Sequence, residues 1–193
     1  TVRQEGEELS DFDKISDTVP EAVLEYIKST DLSIKDYPFD EDFARENMEI
    51  RLTPKRFQHC LNVSEEAMRI GKIVGADSEK CRIAGLLHDL GKIRIPEAVI
   101  NKDTALSEDE EEIIKIHPIT GYHILRGLYT DKSINEGAKY HHERYDGKGY
   151  PSRLSGDEIP EIARIIGVAD SYDAMASNRS YRMALPQVVV RAE

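Results

Sequence analysis

Leu87-His88-Asp89-Leu90-Gly91-Lys92 is the stretch on which the reading of this chain turns. A histidine followed at once by an aspartate sets two metal-ligand types side by side. Adjacent residues on one helix point about 100° apart, so the pair cannot stack over a single ion. A carboxylate has two oxygens, however, and can bridge two ions while the neighbouring imidazole holds one of them. The helix that carries the pair is expected to end at Gly91, a residue suited to the C′ position. Lys92 then falls just past the helix, beside the carboxylate.

Working upstream, Thr53-Pro54 reads as the N-cap and first position of a helix that runs to about Gly75. Phe57, Cys60, Leu61, Val63, Ala67, Met68 and Ile70 give it a broad apolar face, and His59 lies among them. Asp77 or Ser78 caps the next helix, which carries Ile83, Ala84, Leu86 and Leu87 to His88-Asp89. Downstream, Pro96 opens a turn of helix, and Ser107 with Glu110 forms a capping box. The acidic run 108–112 suits a first helical turn. Ile116-His117-Pro118 precedes a helix over about 119–126 that contains His123. His141-His142 ends a further helix and enters a tight loop with Asp146-Gly147 and Gly149-Tyr150-Pro151 as its turn chemistry. Pro160 opens the next helix, which runs through Ile162, Ile165, Ile166 and Val168 to Asp170 and Asp173. An aspartate among apolar neighbours costs stability unless it ligates or pairs. No alternating run and no internal repeat is found. The expected fold is all-α, a compact helical bundle with candidate ligands at helix ends and on inward faces.

Residues 1–50 hold 15 of the 37 acidic residues and 5 of the 26 basic ones, a net of −10, which leaves −1 for residues 51–193. The division expected is an acidic N-terminal extension over 1–50, a helical cap or regulatory segment, and a main domain over 51–193. Within the extension, 1–17 reads as a polar tail. A helix is expected from Thr18, a loop over 31–39 and a second helix over 40–50 with Phe43 and Met48 as anchors. The near-neutral main domain would not repel a nucleotide or phosphate. No basic run suits duplex nucleic acid. No signal peptide and no apolar run long enough for a membrane span is seen, and Cys60 and Cys81 sit in apolar helical contexts as reduced thiols. These features point to the cytoplasm.

Five of the six histidines, His59, His88, His117, His141 and His142, join Asp89 and Asp170 as candidate ligands. Imidazole and carboxylate without thiolate suit Fe, Mn, Zn or Ni rather than Mg alone. Seven ligands exceed the needs of one ion, whereas a dinuclear site bridged by Asp89 uses them well. Two ions roughly 3.5–4 Å apart can share a hydroxide, lower its pKa and clamp a phosphoryl group for in-line displacement. Lys92 would stabilise charge at the phosphate. Arg179 and Arg182 would hold a second phosphate through forked hydrogen bonds.

The chain resembles the HD-GYP family, bacterial phosphodiesterases that open cyclic di-GMP. The resemblance is carried by residues 87–92, by Ile116-His117-Pro118 and by the run from His141 to Pro151. Val168-Ala169-Asp170-Ser171-Tyr172-Asp173-Ala174 and Arg179-Ser180-Tyr181-Arg182 extend it, so that it spans about 53–185. It implies two divalent transition-metal ions, Fe or Mn foremost and Zn or Ni as alternatives. His59, His88, Asp89 and Asp170 would hold one, and Asp89, His117, His141 and His142 the other. It further implies Asp89 and Lys92 as catalytic groups and a groove lined by Lys92, Tyr150, Asp173, Arg179 and Arg182. The product would be linear pGpG, GMP or both. Glu143, Arg144 and Asp146 read as residues that fix the loop. Where some members carry a glutamate that completes a third metal site, this chain has Lys55, so two ions are expected. The family's module usually continues beyond the Tyr-Arg segment, so a C-terminal truncation is expected here. Residues 51–59 also resemble the opening of hydrolases that split symmetric diadenosine tetraphosphate. The alternatives are therefore a hydrolase of another dinucleotide, an HD-type iron oxygenase, or a non-catalytic nucleotide-binding signalling module. A homodimer or a regulatory protein partner would use the N-terminal segment.

Overall fold

Thr53 begins the first long helix of the computed structural model, which describes residues 45, 46, 48–50, 52–126 and 130–177. Its hydroxyl accepts from the Arg56 amide, Pro54 follows at the first position, and α1 runs Pro54–Val74. Gly75 ends it at φ +81°, a left-handed conformation that costs glycine little. Asp77 then accepts from the amides of Glu79 and Lys80 and starts α2, Ser78–Leu87. The two helices pack along each other.

A 3₁₀ turn over Leu90–Arg94 leads to the short α3, Glu97–Ile100, and to α4, Glu108–Lys115, which Ser107 and Glu110 start with a full capping box. α5 spans His117–Arg126, and α6 spans Lys132–Tyr140 with Asp131 as its cap. After a second 3₁₀ turn at Gly156–Glu158, α7 runs Glu161–Ala176. No strand occurs among the described residues.

The expected end of the second helix is corrected. α2 stops at Leu87, His88 is its C-cap, and Gly91 lies inside the 3₁₀ turn rather than at a C′ position. Gly91 serves a close approach instead: a Cβ there would lie 1.9 Å from the His117 carbonyl oxygen and 2.6 Å from the Gly121 nitrogen. The turn is thereby pressed onto α5, which sets Asp89 beside His117.

Two clusters of buried side chains flank this crossing. Met48, Leu52, Cys60, Leu87, Leu90 and Leu125 form one, and Val63, Ala67, Ala84, Ile134, Ile162 and Ile166 form the other. Each fully buried large aliphatic contributes about 1.5–3 kcal/mol. A third cluster, Ile95, Val99, Ile100 and Ile116, seats α3 and α4. Both cysteines are buried and free. α7 packs on α1, α2 and α6, and α5 packs on α6 and on the 3₁₀ turn, so one end of the bundle collects residues from every long helix. No helix among the described residues is long and apolar enough to cross a membrane. The helix expected from Thr18, the loop over 31–39, Phe43 and the Arg179 and Arg182 pair fall outside the described residues.

Candidate metal centre

Three of the candidate histidines sit at or just past a helix C-terminus, where carbonyls lack intrahelical partners. His88 Nδ1 lies 2.7 Å from the Gly85 carbonyl, His117 Nδ1 2.6 Å from that of Ile114, and His141 Nδ1 2.7 Å from that of Ala138. A carbonyl can only accept, so each Nδ1 carries a proton, and in the neutral form of such a ring the lone pair lies on Nε2. Those lone pairs converge. Nε2 of His117 and Nε2 of His141 are 3.3 Å apart, and neither can donate to the other.

Asp89 lies between the rings, 3% exposed. Oδ1 is 3.2 Å from His117 Nε2 and 3.9 Å from His141 Nε2. Oδ2 is 3.5 Å from His88 Nε2 and 2.6 Å from the Lys92 ammonium. One carboxylate oxygen thus faces each side. Donor atoms close enough to share an ion fall into two groups, His59 with His88 and Asp89, and His117 with His141 and His142. Asp170 adjoins the first group, its Oδ1 3.0 Å from His59 Nε2. The structure therefore brings all seven residues together. His123 is in neither group; its ring meets that of Tyr122 edge-on.

The electrostatics match this layout. Burial would raise the Asp89 carboxyl, but the Lys92 ammonium beside it holds it well below the usual range. Burial lowers His88, and burial with the neighbouring His142, His88 and His117 lowers His141 much further. His142 is pushed down to about 3 by burial and by His117. Burial also acts to lower His59, but its hydrogen bonds to Asp170 and Asp173 outweigh that and raise it to about 9. Asp170, which burial would raise, is held well below its usual range by His59 and His88.

The residues fit a divalent cation. His88 Nε2 and Asp89 Oδ1 are buried without a hydrogen-bond partner, and the facing His117 and His141 lone pairs repel unless a positive charge lies between them. Imidazole and carboxylate donors without thiolate suit first-row transition metals.

The loop after α6 presents His142. Glu143 accepts from the amides of Ser152 and Leu154 at 2.6 and 3.0 Å, and Arg144 pairs with Asp146 at 2.7 Å. The Tyr150 amide donates to the His142 carbonyl at 3.2 Å. Tyr150 stacks on the His142 ring, with centroids 4.7 Å apart and planes at 26°. Burial pushes its hydroxyl pKa up. A cavity of about 610 Å³ opens over the centre, with Asp89, Lys92 and His142 at its floor and Lys55, Asp173 and Ser177 on its walls. Its size suits a small-molecule ligand. Asn62, which the sequence reading passed over, lines it too and donates to Asp173 Oδ1 at 2.8 Å. Its place one helical turn beyond His59 was the available signal.

The sequence profile of the HD domain family matches residues 43–188. The cyclic di-GMP phosphodiesterase response regulator RpfG of Xanthomonas campestris pv. campestris is 44% identical over 128 residues, covering 63% of this chain and 34% of that protein. The 3'3'-cGAMP-specific phosphodiesterase 1 of Vibrio cholerae is 36% identical over 138 residues, covering 69% of this chain and 32% of that protein. The chain thus spans about a third of the length of these curated relatives. Among solved structures, the HD domain of the L. monocytogenes phosphodiesterase PgpH in complex with cyclic-di-AMP superposes with a TM-score of 0.57 at 20% identity, over 76% of each chain, a likeness of fold. The matched span takes in both ligand groups and the lysine beside them, and the chain belongs to the HD domain family.

Proposed function

We propose that this chain is a metal-dependent phosphodiesterase that hydrolyses a cyclic dinucleotide, cyclic di-GMP first, to linear pGpG, GMP or both. The observation that carries the reading is Asp89, whose two oxygens face two separate ligand groups at the floor of the cavity. Its seven candidate ligands and the cationic Lys55 on the cavity wall favour two ions, Fe or Mn foremost, with Zn or Ni as alternatives. When bound, such ions supply Lewis acidity, lowering the pKa of water and drawing charge from a phosphoryl oxygen.

The chain's own groups do the rest. Asp89 holds the two groups in register. The Lys92 ammonium, 2.6 Å from Asp89, lies where it can offset charge that develops on the phosphate. Tyr150 keeps His142 in place by stacking, and in this reading its edge borders the substrate. Arg179 and Arg182 take the second phosphate. Residues 51–193 act as the catalytic domain and residues 1–50 as a regulatory segment that receives a partner or a second copy. The identity to a 3'3'-cGAMP-specific enzyme supports one further reading, the same chemistry on a mixed cyclic dinucleotide.

Metal content and turnover of cyclic di-GMP and 3'3'-cGAMP, read on the purified chain and on Asp89→Ala, test the proposal. About two ions per chain and at least about a 100-fold loss of turnover in the variant are expected, since metal-borne stabilisation is worth several kcal/mol. Two ions without turnover of either substrate would leave another dinucleotide. A chain that takes up no ion sinks the catalytic reading in favour of a nucleotide-binding module.

A further inference from the structure

His59 is anchored unlike the other buried ligand histidines. His88, His117 and His141 lean on main-chain carbonyls near helix ends, but His59 lies inside α1, where the carbonyls are engaged in the helix ladder. Its Nδ1 is instead 2.6 Å from Asp173 Oδ2, on α7. The other oxygen of Asp173 accepts from Asn62 Nδ2 at 2.8 Å and from Ser177 Oγ at 3.1 Å. Both carboxylate oxygens are therefore occupied, and the group is 8% exposed although it borders the cavity. An anionic carboxylate already committed in this way is a poor contact for a phosphate. A carboxylate that holds the Nδ1 proton leaves Nε2, which lies 3.0 Å from Asp170 Oδ1 on the His88 and Asp89 side, as the atom available to a cation once it gives up its own proton.

We infer that Asp173, clamped by Asn62 and Ser177, is a positioning residue for His59 rather than a substrate contact: it fixes the tautomer and ring orientation that present Nε2 to a divalent ion at the His59, His88 and Asp89 group. The inference rests on the metal-dependent reading above. It has a one-sided consequence. The hydrogen bonds of Asp173 go to His59, Asn62 and Ser177 and to none of His117, His141 and His142, so loss of the clamp is expected to weaken one ion site and spare the other.

The test is titration of the metal-free chain with Mn²⁺ and with Zn²⁺, comparing wild type, Asp173→Asn and Asn62→Ala, with thermal melting of the metal-free forms as the control for folding. Asp173→Asn is expected to weaken one of two sites about 10–100-fold and leave the other unchanged. Asn62→Ala, which removes one donor to the clamp, is expected to weaken the same site several-fold, and it carries the test should Asp173→Asn not fold. In the Zn²⁺-loaded chain the His59 Nδ1 proton, 2.6 Å of donor–acceptor distance from Asp173, is expected to resonate far downfield and to move upfield in Asp173→Asn. Unchanged affinity at both sites, or equal loss at both, overturns the inference. Failure of the wild type to bind any ion overturns the metal-dependent reading itself, and is read on the unsubstituted chain.

Discussion

Gly91 occupies a point where no side chain fits. Its Cβ position falls on the His117 carbonyl oxygen at 1.9 Å, which is main chain and cannot swing aside. Gly91→Ala is therefore expected to force the 3₁₀ turn away from α5, at a cost of about 3 kcal/mol in line with overpacked cores. The denaturation midpoint of the metal-free chain measures that cost. A midpoint equal to wild type would show that the crossing is looser than described. Asp89 and His117 part in the same movement, so metal affinity is expected to fall with it. At this scale the sequence spoke unevenly. His88, Asp89, His117, His141 and His142 were legible because each stands in a short local motif. The clamp on Asp173 was not, because it joins residues 111 positions apart, and the one local sign, Asn62 a helical turn beyond His59, does not name Asp173 as its partner.

Helix starts are written locally, and the structure follows them closely. Thr53-Pro54, Asp77, the Ser107 box and Pro160 all begin helices where their chemistry asks them to. The end of α2 is the exception, since Gly91 answers to a distant helix rather than to its own. The start of α6 lends itself to measurement. Asp131 accepts from the Ser133 amide at 2.9 Å and pairs with Lys80 at 2.7 Å, and Lys80 first, then Ser133, lowers its pKa to about 2. The folded value lies below the ordinary one, so this stability is present above about pH 4 and is lost as pH falls through about 2. Asp131→Ala is expected to cost about 1 kcal/mol at neutral pH through the lost cap. The gap from wild type should close as the pH drops from 4 toward 2, as followed by urea midpoints; a gap independent of pH would mean that the charge contributes nothing.

Across the whole molecule, the centre ties α1, α2, α5, α6 and α7 together, so its contents bear on global stability. An ion bound only by the folded chain at about 100 times its Kd adds about 2.7 kcal/mol. Chelation is expected to lower the melting temperature by about 5–10 °C for a chain of this size, and Asp89→Ala should blunt that response. Equal melting with and without chelator would argue against ions bridging these helices. The histidine anchors have a further, electrical consequence. The last turns of α2, α4 and α6 lie beside His88, His117 and His141, so three partial negative poles and the charge of Asp89 border the centre, against one partial positive pole where α5 begins. The bundle's backbone thus adds to its side chains in favouring a cation at this point.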